Sequence, residues 1–298
     1  MTGGEPDVLG RIVRWAETEE LVRAVVLTST RAAPDARTDP FSDYDVVLYV
    51  ADLAPFAGGT EWLGCVGPVL VSWPDEGVAG GLPFHMRLVI YEDETKVDFT
   101  IAPVERLRDI ARSGVLPDAL DVGYRVLLDR DGANAALPAP TFTAHIPPRP
   151  TQEDFSALVE EFWFETTYVA KNLWRGELLP ARHSLETVMK LDLLRRVLEW
   201  RVEMDHGWSL RPGAYGRGLR RHLDAATWAE LEATFGGADA AAGWESLFRT
   251  TALFRRVAME VAAGLGLEYP HRLDERMTAH LRRVEADAGD RQSGADGG

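Results

Sequence analysis

A cluster of prolines between residues 138 and 150 divides this chain of 298 residues into two parts of different character. Before the cluster, runs of β-branched and aromatic residues alternate with turns, which predicts strands. After it, apolar residues recur at helical spacing almost to the end. The pattern indicates an α+β protein, with a mixed β-sheet domain at 1–145 and an all-helical domain at 146–287. The tail at 288–298 is rich in Gly, Asp and Ala, and we expect it to be disordered.

Strands are predicted in the first part at 21–27, 44–50, 85–91 and 96–101. The acidic segment 92–95 is expected to be the turn of a hairpin. Glycines and prolines are frequent in 52–84, and we interpret much of that segment as connections.

Helices are predicted at about 8–20, 104–112, 152–175, 180–205, 214–222, 225–235, 240–265 and 271–287. Thr151, followed three residues later by Asp154, resembles a capping box with Asp in place of the usual Glu or Gln. This pair predicts the start of the first helix after the proline cluster.

The net charge of −15 makes this chain a poor candidate for binding nucleic acid, because contacts with phosphates need clustered Lys and Arg. A cleft lined with carboxylates would instead attract a cationic ligand. The single cysteine, Cys65, excludes an intrachain disulfide and is consistent with a cytoplasmic protein. The sequence shows neither a signal peptide nor an apolar run long enough to cross a membrane. We expect a monomer or a weak dimer.

Two aspartates stand at the start of the second predicted strand, Asp43 and Asp45. Side chains on a strand alternate between its faces, so these two carboxylates point to the same side. Carboxylates held that close repel each other unless a cation lies between them. Mg²⁺ prefers oxygen ligands and usually takes one or two carboxylates together with substrate phosphates. An Asp-x-Asp pair is also common at surface turns, so it does not define a metal site by itself.

A third aspartate, Asp98, lies in the middle of a later predicted strand, on the same face as Lys96 and Thr100. A carboxylate among apolar neighbours is costly without a partner. A neighbouring strand that carries Asp43 and Asp45, with a shared metal, would supply one. Asp98 would then help to hold a second metal or accept a proton from the attacking hydroxyl.

The turn after the first buried strand carries Ser29, Thr30 and Arg31. Hydroxyls and backbone N–H groups at such a turn can hold phosphate. An ordinary polar turn would have the same composition. The turn supports a phosphate site mainly because the aspartates follow it.

A strand, a hydroxyl-bearing turn, Asp-x-Asp and a third Asp on a later strand together resemble the polymerase-β-like nucleotidyltransferases. Longer segments are similar to the aminoglycoside 6-adenylyltransferases, the streptomycin-modifying enzymes, and the similarity extends from about Leu9 to Arg283. The segments that carry it are Phe41–Asp45, Lys96–Pro103, Glu161–Arg175, Leu198–Trp200, Trp244–Phe248 and Leu267–Pro270.

The resemblance implies transfer of AMP from ATP to a hydroxyl of streptomycin, with release of pyrophosphate and a requirement for Mg²⁺. It implies that Asp43 and Asp45 are the metal-holding pair and that Asp98 is the third carboxylate. It also implies that Lys171 reaches the phosphates of the nucleotide. One residue departs from the family pattern, since Ser29 stands where the family typically has glycine and so lacks the freedom of glycine at positive φ.

The helical part offers a candidate surface for a cationic acceptor. Glu161 and Glu165 lie four residues apart on one predicted helix face, with Tyr168 a turn further on. These carboxylates could receive guanidinium groups, although a solvated helix face would look the same. Glu165 is our second candidate for the general base, after Asp98.

Two alternatives to aminoglycoside adenylylation stay open at this point. The first is an enzyme of the same fold that acts on another small molecule or on a protein. The second is a non-catalytic protein that binds nucleotides. Retention of all three aspartates argues against the second alternative.

Overall fold

The computed structural model describes residues 7–33, 38–210 and 213–295, without the side chains of 214 and 291–295. The chain forms two compact units, Met1–Ala144 and His145–Gly298. The division between them falls inside the proline cluster. The first unit contains a mixed β-sheet and the second is helical, which confirms the predicted α+β class.

Six strands of the described residues form one sheet, namely β1 (Val22–Thr28), β2 (Tyr44–Val50), β3 (Val69–Ala79), β4 (Leu82–Tyr91), β5 (Lys96–Pro103) and β6 (Tyr124–Asp129). Their order across the sheet is β3-β4-β5-β2-β1-β6. The central neighbours β2 and β5 are parallel, whereas the other neighbouring pairs are antiparallel. Because β2 and β5 are parallel, the residues at their starts lie at the same edge of the sheet.

The helices of the first unit are α1 (Val8–Thr18), α2 (Ala54–Gly58), α3 (Val104–Ser113) and α4 (Asp118–Asp121). Helix α1 packs on one face of the sheet, where its Ile12 shares a core with Phe99 of β5. Helix α3 packs on the other face, where its Leu107 shares a core with Val26 of β1. Alternate strand residues therefore enter opposite cores, and Asp45 and Asp98 lie on the α3 side of the sheet, opposite Phe99.

The prediction that 52–84 consists mainly of connections is wrong, because β3 occupies much of it. Strand β3 pairs with β4 through a two-residue turn, Gly80–Gly81, in which both residues have positive φ (60° and 76°). Such a turn matches the twist of a hairpin and favours glycine. Pro74 is tolerated because β3 is an edge strand and needs hydrogen bonds on one side only. Strand β6 was not predicted.

The second unit contains α5 (Gln152–Arg175), α6 (Leu178–Arg182), a π-helical stretch at His183–Leu194, α7 (Arg195–His206), α8 (Ala225–Ala233), α9 (Ala240–Leu265) and α10 (His271–Ala295). The predicted capping box is present at the start of α5. The Thr151 hydroxyl accepts from the Asp154 amide at 3.1 Å, and the Asp154 carboxylate accepts from the Thr151 amide at 3.0 Å.

The helix predicted at 214–222 is replaced by two short 3₁₀ turns, Ala214–Gly216 and Leu219–Arg221. Gly216 has a φ of 72°, which ends the first turn, and a second glycine, Gly218, precedes the next turn.

The tail predicted to be disordered from residue 288 continues helix α10 instead, as far as Ala295. Ala288 is buried, and the carboxylate of Asp287 accepts a hydrogen bond of 2.7 Å from the Trp174 indole. These contacts give the helix a packed face that composition does not reveal. Residues 296–298 of the predicted tail lie outside the described residues.

Asp121 of α4 binds the last residues of the first unit through hydrogen bonds. Its buried carboxylate accepts hydrogen bonds from the amides of Thr141 (2.6 Å), Thr143 (3.0 Å) and Ala144 (2.9 Å). Burial by itself would raise the pKa of Asp121, but these hydrogen bonds outweigh it and lower the pKa to about 2.

The Asp121→Ala variant is expected to lose about 2 kcal/mol of the free energy of unfolding at pH 7. Because the folded-state pKa lies below the unfolded value of about 4, this contribution is present above pH 4 and disappears as the pH falls towards 2. Urea titration at several pH values would measure it, with the exposed Asp109→Ala as the control. An equal effect of the two variants would contradict the assignment.

Candidate active site

Asp45 and Asp98 face each other across the two parallel central strands. They are directly opposed in the pairing of β2 with β5, so their side chains leave the same face of the sheet. The predicted neighbouring strand is therefore present. Asp43 lies one residue before β2 begins at Tyr44, two positions from Asp45. Parallel pairing brings the three aspartates to one edge of the sheet.

A lysine that the sequence analysis did not select, Lys96, lies among these aspartates. Its ammonium is 2.6 Å from Oδ2 of Asp43 and 3.1 Å from Oδ2 of Asp98. Lys96 and Asp98 are two residues apart on β5 and so share a face. That spacing is the signal in the sequence that could have identified Lys96.

The site is crowded with negative charge and partly removed from water. Burial raises the pKa of Asp45, and repulsion from Asp98 and Asp43 raises it further, while a hydrogen bond from Ser29 opposes the shift. Burial also raises the pKa of Asp98, against the stabilising effect of Lys96. For Lys96, burial alone would lower the pKa, but contacts with the two aspartates outweigh it and raise it. The charges therefore favour a cation at this point.

One oxygen of the site lacks a partner. Oδ1 of Asp98 is buried and has no hydrogen-bond partner among the described residues, which is costly for a charged group. Within those residues, no group of three or more His, Cys, Asp or Glu side chains is already arranged around a metal position. The donor set nevertheless fits Mg²⁺, because carboxylate oxygens are its preferred protein ligands and Asp98 keeps one of them free.

The predicted phosphate turn has an unusual backbone. Ser29 has a φ of 62°, in the left-handed region that favours glycine. The turn is held by Arg31, whose Nε donates to the carbonyl oxygens of Ser42 (3.2 Å) and Asp43 (3.1 Å). The Arg31 guanidinium also lies 3.9 Å from the ring centre of Tyr44. Arg31 thus connects the turn to the backbone at Ser42 and Asp43. Thr30 lies in the turn between Ser29 and Arg31.

A pair of substitutions separates the two properties of Ser29. Ser29→Gly and Ser29→Ala both remove the hydroxyl, but only glycine relieves the left-handed strain. We expect the glycine variant to be more stable than the alanine variant by about 1 kcal/mol, measured by urea unfolding. Equal stabilities would show that the positive φ costs nothing here.

A cavity of about 790 Å³ lies beside Asp43 and Lys96, between the segment 38–44 and the hairpin of β4 and β5. Its acidic lining residues are Asp39, Asp43, Asp93 and Glu94. Phe41 also lines the cavity and is 90% exposed. Apart from Asp43, none of these residues was predicted from the sequence as a site residue.

The predicted acceptor residues lie on helix α5 of the second unit. Glu161 is exposed, Glu165 is half-buried, and Tyr168 is partly exposed. Phe164, which the sequence analysis missed, is 60% exposed and packs edge-on against Tyr168 with the ring centres 5.5 Å apart. Its position four residues before Tyr168, on the same helix face as the two glutamates, was the available signal. The face combines carboxylates with aromatic rings, as a surface for organic cations does.

Lys171 follows on the same helix, with its ammonium 4.5 Å from the ring centre of Tyr168. It lines a groove of about 440 Å³ between α5 and α10, together with Arg175, His280 and Arg283. The positive charges of Lys171, Arg175 and Arg283 suit a phosphate-bearing ligand, and Asp287 is the acidic residue that lines the same groove. The net charge of the chain is −15, so this cluster of positively charged side chains differs from the rest of the protein.

The sequence matches known proteins over nearly its whole length. A family model described as streptomycin adenylyltransferase matches residues 4–284. The chain is 29% identical to an aminoglycoside 6-adenylyltransferase of Bacillus subtilis, over 94% of this chain and 97% of that protein. It is 28% identical to one of Campylobacter jejuni, over 94% of this chain and 95% of that protein. A crystal structure of an aminoglycoside 6-adenyltransferase from Bacillus subtilis is similar with a TM-score of 0.46 and 25% identity, over 95% of this chain and 99% of that one.

The family match spans both units, and it confirms the resemblance that the aspartate motif and the helical segments indicated. The chain belongs to the streptomycin adenylyltransferase family, whose members are nucleotidyltransferases.

Proposed function

We propose that this protein transfers AMP from ATP to a hydroxyl of an aminoglycoside, with streptomycin as the first acceptor to test. The observation that carries the proposal is the meeting of Asp43, Asp45 and Asp98 at one edge of the sheet, with Asp45 opposite Asp98. The family membership supports the reaction class, and the names of the relatives support the acceptor class.

Asp43 and Asp45 would hold Mg²⁺, and Asp98 would add a ligand or act as the proton acceptor. When bound, Mg²⁺ neutralises phosphate charge and polarises the phosphorus that is attacked. The residues fit this role because they offer carboxylate oxygens on one face, one of which has no other partner.

The reaction forms one bond and breaks another at the α-phosphorus of ATP. The acceptor hydroxyl oxygen attacks this phosphorus, the bond to the pyrophosphate oxygen breaks, and pyrophosphate leaves. Asp98 takes the hydroxyl proton in our preferred assignment, and its raised pKa makes it a better base than an ordinary aspartate. Glu165 is the second candidate for that step.

The nucleotide phosphates are assigned to the Ser29–Arg31 turn and to Lys171. The turn offers hydroxyls and backbone N–H groups. Lys171 belongs to the cationic groove of the second unit. ATP is the proposed donor, and a parallel assay with GTP would test that choice.

The acceptor is assigned to the exposed face of α5. Glu161 and Glu165 would pair with the cationic groups of the antibiotic, and Tyr168 would contact its rings. The strong negative charge of the whole chain would also attract such a ligand.

The test is an incubation of the full chain with ATP, Mg²⁺ and streptomycin. Pyrophosphate release and a drug whose mass has increased by one AMP group would support the proposal. A reaction without acceptor is the control for ATP hydrolysis. Failure to form product with streptomycin and with a panel of other aminocyclitol antibiotics would refute the acceptor class.

A further inference from the structure

Lys96 contacts two of the three aspartates directly. Its ammonium has three N–H donors, and two of its contacts are with Oδ2 of Asp43 and Oδ2 of Asp98, at 2.6 and 3.1 Å. These are charge-assisted hydrogen bonds of short to normal length. One oxygen of Asp43 and one oxygen of Asp98 are therefore already bound to a positive charge.

The burial of these groups allows Lys96 to move more easily than Asp98, while Asp43 is about as exposed as Lys96. The side chain of Asp98 is 16% exposed, whereas that of Lys96 is 38% exposed. A lysine carries its charge on a flexible stem of four carbons, so the ammonium can turn into solvent while its backbone stays in β5. Asp98 has no comparable freedom, since it is shorter and more deeply placed.

We propose that Lys96 is a built-in counter-ion, which neutralises Asp43 and Asp98 while no metal is bound and is displaced from them when a divalent cation binds. This inference rests on the proposed function, because it takes Asp43 as a metal ligand and places Asp98 beside the metal. It assigns a positioning role to Lys96, which keeps two like charges together in a geometry that a metal can enter.

Displacement follows from electrostatics. A divalent cation that uses Oδ2 of either aspartate would lie within a few ångströms of the ammonium, and two cations that close repel each other strongly in a partly buried site. The metal therefore binds only at the expense of the Lys96 contacts. Part of the metal's binding free energy is consumed in breaking them.

Competition of this kind predicts tighter metal binding when Lys96 is removed. In the Lys96→Met variant, the metal no longer has to displace an ammonium or tolerate its charge. We expect the dissociation constant for Mn²⁺ to fall about tenfold or more relative to the unmodified protein. Titration of the full chain with Mn²⁺, followed by the electron paramagnetic resonance signal of the free ion, would measure it without nucleotide or acceptor.

A matched control removes a positive charge elsewhere in the same unit. Arg125 is exposed on β6, and Arg125→Met changes the net charge by the same amount. Its Mn²⁺ affinity should stay within about twofold of the unmodified protein, since exposed charges are screened over short distances. An equal gain in the two variants would show a general charge effect and would overturn the proposal.

Thermal unfolding gives a second readout that a purely structural ion pair would not reproduce. In EDTA, Lys96→Met should melt a few degrees below the unmodified protein, because Asp43 and Asp98 lose their counter-ion. Saturating Mn²⁺ should narrow or remove this difference, since the metal then takes over the neutralisation. A deficit of the same size with and without metal would overturn the proposal.

The outcomes separate this inference from the proposed function. Unchanged or weaker Mn²⁺ binding in Lys96→Met would overturn the counter-ion role even if the protein adenylylates streptomycin. Tighter binding would support it even if no aminoglycoside is modified, because the titration contains only the protein and the ion.

Discussion

Replacing Asp45 with asparagine is expected to abolish AMP transfer while raising the melting temperature of the metal-free protein. The loss should be about a thousandfold or more in kcat, because a lost metal ligand removes several kcal/mol of charge stabilisation at the phosphorus. Asparagine keeps an oxygen that can accept the hydrogen bond from Ser29, so the turn should be preserved.

The gain in stability follows from the raised pKa of Asp45. Because its folded-state pKa is raised by burial and by the neighbouring aspartates, the charged form disfavours the folded state at pH 7. That penalty is absent at a pH low enough to protonate the group in both states, and it grows as the pH rises through the folded-state pKa. The stabilising effect of Asp45→Asn in EDTA should therefore shrink as the pH is lowered.

The control for this substitution is Asp75→Asn. Asp75 is exposed on the edge strand β3, where it should tolerate the same chemical change without loss of activity or stability. Pyrophosphate release and thermal melting would be measured on both variants. Full activity in Asp45→Asn would exclude it as a metal ligand.

Substitution of Asp98 is expected to have the next largest effect on the reaction. Asp98→Asn should lower kcat by about 10²- to 10⁴-fold if the carboxylate takes the hydroxyl proton. Glu165→Gln should lower it by less than about tenfold, because in this assignment Glu165 only contacts the acceptor. The kcat and KM of each variant for ATP and streptomycin would be measured.

Mn²⁺ binding distinguishes the two roles that we consider for Asp98. If it is the proton acceptor, the Asp98→Asn variant should bind Mn²⁺ nearly as well as the unmodified protein. If it holds a second metal, its substitution should weaken the binding of one ion. A larger loss of kcat in Glu165→Gln than in Asp98→Asn would assign the proton to Glu165.

Local pattern predicted the elements whose apolar residues form a buried run, alternate along a strand or repeat at helical spacing. Strands β1 and β2 were predicted nearly to the residue because each has buried aliphatic side chains and turns at its ends. Strand β3 was missed because almost all its side chains are exposed, so they follow no alternation. It exists because β4 offers an edge to pair with and Gly80–Gly81 closes the hairpin.

In the second unit, too, some elements were predicted from local pattern and others depend on tertiary packing. The long helices α5 and α9 were predicted with the bounds that the structure has, because their apolar residues repeat at helical spacing and polar caps mark their starts. The π-helical stretch at His183–Leu194 was predicted as ordinary helix, because π-helices are rare and periodicity alone indicates an α-helix. The continuation of α10 depends on packing of Ala288, which composition does not encode.

For the candidate site, the sequence alone determined which carboxylates are available, and strand alternation predicted that Asp43 and Asp45 share a side. The tertiary structure decided that Asp98 lies opposite Asp45. It also decided that Lys96 contacts both Asp43 and Asp98, although Lys96 and Asp43 are 53 residues apart along the chain. Contacts between residues so far apart in the sequence depend on which strands pair in the sheet. Strand pairing in turn depends on how the whole sheet is buried. The positive φ of Ser29 was likewise decided by the anchoring of its turn.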